Sequence, residues 1–121
     1  MVLFFVNNMQ AQQTNPVQRK NAGRYQVELS ACCNTLDFHL YNYNSRPVRG
    51  LPIKGYVDLF YPDGSQITVL LQQYEQSDLL SANVTYPGFR SLRVSFIIGE
   101  EKISVSFSVE HYHMVENKQT K

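Results

Sequence analysis

Two histidines and a thioether stand near the end of the chain. His111, His113 and Met114 follow directly on the alternating run Ile103-Ser104-Val105-Ser106-Phe107-Ser108-Val109. Imidazoles with a thioether or thiolate form a donor set for soft transition metals, Cu(I) in particular. If the strand continues, His111 and His113 share one face because successive side chains alternate, and Met114 points the other way. Cys32 and Cys33 add two thiols and His39 a third imidazole. The metal candidates are therefore His111, His113, Met114, Cys32, Cys33 and His39, with copper as the expected ion. The plainer account makes His111 to Met114 a polar strand end, and Cys32 and Cys33 a turn between strands.

Cys32 and Cys33 are adjacent. Neighbouring Cα atoms lie about 3.8 Å apart across a trans peptide, short of the usual disulfide range of about 4.4–6.8 Å. The expectation is two free thiols, soft ligands, or a strained and reducible pair. Either cysteine with His39 would make a thiolate pair, but no third orienting group and no glycine-rich oxyanion loop accompanies them. Catalysis is not expected. Asp58, Asp63 and Asp78 do not follow the spacing of a calcium loop.

Net charge is +1, with Lys and Arg scattered, so the basic footprint of a nucleic-acid binder is missing. No run approaches the roughly 20 apolar residues of a membrane span. Leu, Ile, Val and Phe supply 35 of 121 residues, enough for one small core. Val2-Leu3-Phe4-Phe5-Val6 followed by Met9-Gln10-Ala11 looks like the end of a secretory signal with a small residue at its cleavage edge. Residues 1–11 are read as a truncated signal remnant, 12–23 as a polar linker, 24–114 as a β-sandwich domain and 115–121 as a polar tail.

From Tyr25 the pattern has period two. Seven strands are expected: Tyr25–Ala31, Thr35–Tyr41, Gly55–Tyr61, Ser65–Leu71, Leu79–Thr85, Ser91–Ile98 and Glu101–Val109. Gly99-Glu100 suits a two-residue type II′ turn, pairing Phe96 with Ile103, Val94 with Val105 and Leu92 with Phe107. Pro62-Asp63-Gly64 suits a three-residue loop, pairing Leu59 with Ile67 and Val57 with Val69. Both closures keep the apolar side chains of a hairpin on one face, which a slip of one residue would reverse. The fold class is all-β, an antiparallel immunoglobulin-like two-sheet sandwich. The Cys–Trp–Cys hallmark of antibody domains is missing.

Gly23-Arg24-Tyr25-Gln26-Val27-Glu28-Leu29, Leu36 to Tyr41, Gly55 to Gly64 and Lys102 to Phe107 together resemble small exported β-sandwich proteins of the YtkA-like or FixH-like type, over about residues 23–110. The resemblance implies a non-enzymatic accessory protein of the cell envelope, periplasmic or extracellular, of the kind found near heavy-metal efflux systems. Metal-associated members often carry a histidine where this chain has Gln26. The alternative is a protein-protein interaction module without metal. It would use an exposed aromatic face, on which Tyr56 and Phe60 lie opposite Val57 and Leu59, or an edge strand that pairs with another envelope protein or a second copy.

Overall fold

The structure, a computed structural model, describes residues 15–115. The signal remnant of residues 1–11, the start of the linker and the last six residues of the tail lie outside the described residues. Nine strands are described: β1 Gln18–Ala22, β2 Tyr25–Cys32, β3 Thr35–Asn42, β4 Ile53–Phe60, β5 Gln66–Leu70, β6 Gln72–Gln73, β7 Leu79–Asn83, β8 Ser91–Ile98 and β9 Glu101–Ser108. All seven expected strands are present, within two residues at each end.

The strands form two antiparallel sheets, ordered β1-β2-β3-β7-β6 and β5-β4-β8-β9. From β2 onward this is the immunoglobulin arrangement, strands ABED packed on C′CFG. Both hairpin registers hold: Phe96 faces Ile103, Val94 faces Val105, Leu59 faces Ile67 and Val57 faces Val69. The turns explain why. Gly99 sits at φ 66° and Gly64 at φ 92°, conformations that cost glycine little because it has no Cβ.

The core lies between the sheets. Val27, Leu29, Leu36, Phe38 and Leu40 of the first sheet meet Val57, Leu59, Leu92, Val94 and Phe96 of the second, all at most 1 % exposed. Phe38 and Phe96 pack edge to face across the interface, ring centroids 6.1 Å apart. Each such side chain contributes roughly 1.5–3 kcal/mol by leaving water.

Part of the polar linker read over residues 12–23 is strand. Gln18–Ala22 pairs with β2, Arg19 opposite Glu28 and Lys20 opposite Val27. The segment is polar because it is an edge strand and buries Ala22 alone. Its side chains also close the neighbouring sheet. Gln18 Nε2 donates to the Ser108 carbonyl (2.9 Å) and Lys20 Nζ to that of Ser106 (2.9 Å). The final strand stops at Ser108 rather than Val109. The amide of Tyr112 then bonds the Val109 carbonyl, and the chain turns through Glu110 and His111.

Candidate functional site

The topology gathers five of the six candidate ligands at one end of the sandwich, its base. The β2–β3 turn carries Cys32 and Cys33 there, and β9 delivers His111, His113 and Met114 there. The tail lies against the turn: the Val115 amide donates to the Cys33 carbonyl (2.8 Å). His113 is held by Asn15, which bonds both its amide and its carbonyl. Because the chain turns at His111, the two tail histidines are not neighbours on one strand face. Both are exposed, whereas Met114 packs partly against the core. A cleft of about 390 Å³ opens beside them, lined by Pro62, Pro87, Phe89, Arg90, His113 and Met114 among others.

His39 lies elsewhere. It faces outward from β3, opposite the buried Leu36, Phe38 and Leu40, with Glu28 across the ladder. Cys32 is four residues further along β2, about 13 Å at strand rise. The His39 Nδ1 meets Asp78 Oδ2 at 2.9 Å, and Arg49 Nε stands 3.8 Å from the other carboxylate oxygen. This is an outer-face ion cluster, seated beside Arg19, Glu28 and Tyr41. Burial, then the Glu28 carboxylate, holds the Tyr41 hydroxyl above its ordinary pKa.

Cys32 and Cys33 are free thiols, both exposed, with sulfurs 3.1 Å apart. The hydrogen bond that Cys32 shares with Cys33, then the charge of Cys33, raises the Cys32 thiol above the ordinary value. Among the described residues no group of three or more His, Cys, Asp or Glu is arranged to hold a metal ion.

The second sheet presents a different kind of feature. On its outer face Tyr56 and Phe60 are half-buried, as expected from their phase. Each ring is overlain by a cation: Lys102 Nζ stands 5.6 Å from the Tyr56 centroid and Arg93 Cζ 5.7 Å from that of Phe60. The neighbouring Lys102, and after it Ser95, lower the pKa of the Tyr56 hydroxyl. Asp58 between the rings is 5 % exposed and accepts from Thr68 Oγ1 (2.6 Å) and Arg93 Nη2 (3.4 Å). The aromatic face is thus largely capped by charge, not a bare apolar patch.

Among the described residues its edge is not capped. β5 pairs with β4 on one side only. The Tyr61 amide bonds Ser65 and the Leu71 amide bonds Gly55. Since antiparallel pairs alternate, Ile67 and Val69 bond β4 while the N–H and C=O groups of Gln66, Thr68 and Leu70 point outward. Gln66-Ile67-Thr68-Val69-Leu70 has no charge and no proline, and Leu70 is 76 % exposed. The other edges are blunted. The outward carbonyls of β9 receive Gln18 and Lys20, β1 carries Arg19 and Lys20, and β6 is two residues long. Charge, shortness and covering segments are the devices that keep edges from pairing, and among the described residues β5 has none of them. The uncharged run was visible in the sequence, but its place at an edge was not.

No protein-family model, curated protein or solved structure matches the chain. The likeness to YtkA-like and FixH-like proteins therefore extends to a generic two-sheet sandwich and to no particular family.

Proposed function

We propose that this chain is a non-enzymatic interaction module that accepts an extended strand at the β5 edge. The observation that carries the reading is the outward backbone of Gln66, Thr68 and Leu70 on a strand that has no protective charge or proline and, among the described residues, no cover. Strand addition takes its affinity from main-chain hydrogen bonds and its selectivity from alternate side chains. Here those side chains are Gln66, Thr68 and Leu70, with Tyr56 beside Leu70 in the ladder. A second copy is a fitting partner, because antiparallel pairing about Thr68 sets Ile67 against Val69 with no charge to repel.

Sedimentation velocity of the full chain over a wide concentration range tests this. Self-association is expected, with slower amide exchange at Gln66, Thr68 and Leu70 as concentration rises. Thr68→Pro removes an outward N–H without touching the β4 ladder, and Leu70→Lys adds an edge charge. Both variants should remain monomeric and folded. A natural chain that stays monomeric with those amides freely exchanging would sink the proposal.

The apolar run before Ala11 supports export to the cell envelope. Copper binding is a second reading, supported by the two exposed thiols of Cys32 and Cys33 and by the tail bearing His111, His113 and Met114, whose Val115 amide bonds the Cys33 carbonyl. Its test is Cu(I) titration against a competing chelator, with binding lost in a His111→Ala/His113→Ala chain.

A further inference from the structure

Two exposed thiols stand side by side at the base, their sulfurs 3.1 Å apart. Cys32 ends β2 opposite Thr35, and Cys33 opens the two-residue turn with φ 62°. A first turn position with positive φ normally belongs to glycine, since a Cβ in the left-handed region crowds the following carbonyl. Ser45, Glu75 and Gln76 share this region, and what sets Cys33 apart is the second thiol beside it. The turn is fixed from two sides. The Val84 amide donates to the Asn34 carbonyl (2.8 Å) and the Val115 amide to the Cys33 carbonyl (2.8 Å). The backbone that carries the sulfurs is therefore held before a ligand arrives, which lessens what must be ordered on binding.

The chemistry of the occupant is bounded. Among the described residues no third His, Cys, Asp or Glu joins the pair in a metal-holding group. A structural zinc-type centre takes four protein donors, so two sulfurs leave it half filled. Adjacent cysteines, about 3.8 Å apart at Cα, also fall short of ordinary disulfide geometry. A centre that bridges the two sulfurs and carries its own third substituent needs only what is present. Trivalent arsenic meets both conditions. A neutral arsenous acid condenses with the two thiols. Two As–S bonds form, two As–O bonds break, the thiol protons leave in two waters, and no atom changes oxidation state.

We propose that Cys32 and Cys33 form a two-point capture site for trivalent, thiophilic arsenicals, which bind by bridging the two sulfurs.

The probe is phenylarsine oxide added to the reduced full chain, read by intact mass and by titration of the remaining thiols. A one-to-one adduct is expected, in which both thiols disappear together and return on adding excess 2,3-dimercaptopropanol. Cys33→Gly supplies the residue that suits φ 62°, so that variant should fold at least as well. It should bind about a hundredfold more weakly, as expected when two-point attachment becomes one-point. Thiols that remain titratable in the presence of the probe would overturn the site, as would Cys33→Gly binding as tightly as the natural chain. Thr68→Pro should leave the adduct unchanged, so this result and the edge-pairing result are read separately.

Discussion

At position 55 the informative feature is a missing side chain. Gly55 lies in the core phase of β4, and the chain passes over it as Leu71 leads from β5 in the second sheet to β6 in the first. The Leu71 amide bonds the Gly55 carbonyl at 3.0 Å. A Cβ at Gly55 would lie 2.8 Å from the Ser95 carbonyl oxygen, 2.9 Å from Leu71 Cδ1 and 3.1 Å from Phe96 Cδ1. The leucine tip can rotate away, but the Ser95 carbonyl belongs to the β8 backbone and cannot. Gly55→Ala should therefore behave as an overpacked core substitution and cost about 1–3 kcal/mol. Thermal unfolding of the variant beside the natural chain measures this, and an unchanged midpoint would show that β4 and β8 have room to separate. The effect should also reach β5, whose far end is anchored by the same crossing.

Elements were legible in the sequence where their information is local. The β8–β9 hairpin is specified by Gly99 and by apolar residues in one phase, and the β4–β5 hairpin by Gly64 in the same way, so both registers follow from the sequence alone. β1 escapes such a reading because an edge strand needs no apolar phase. Its contributions are ladder bonds to β2, the cross-strand pair Arg19–Glu28 at 3.3 Å, and the bonds of Gln18 and Lys20 to the β9 carbonyls. The site was legible only as residue types. His39 was correctly placed on the outer face of β3 by alternation, yet its partner Asp78 arrives from a connection 39 residues away. The meeting of the Cys32–Cys33 turn with the His111–Met114 tail depends on crossings between sheets, which no local pattern encodes. The turn at Glu110 and His111, closed by Tyr112 on Val109, redirected histidines that a continued strand would have aligned. The β5 edge follows the same logic: its composition is local, but its lack of a neighbour is a property of the whole sheet order.

The molecule as a whole is closed where the two ends of its described chain meet, and a single side chain carries much of that closure. Asn15 is 3 % exposed. Its Nδ2 donates to the carbonyls of Ala31 and His113, both at 3.0 Å, and its Oδ1 accepts from the His113 amide at 2.7 Å. Tyr112 adds a second tie, donating to the Pro16 carbonyl at 2.6 Å and accepting from Gln18 at 3.0 Å. Asn15→Ala would leave the buried Ala31 carbonyl and the part-buried His113 amide without their partner, at about 1–3 kcal/mol. The loss should be local before it is global, because β8 and the Phe38–Phe96 contact do not depend on Asn15. Hydrogen exchange should therefore quicken at His113 and Val115 well before it changes in β8. The Val115 amide is the group that holds the Cys33 carbonyl, so the same variant should loosen the turn and weaken arsenical capture without removing either sulfur. If Val115 exchange is unchanged in Asn15→Ala, the tail is held by its own contacts with the turn, and the two chain ends are not coupled through Asn15.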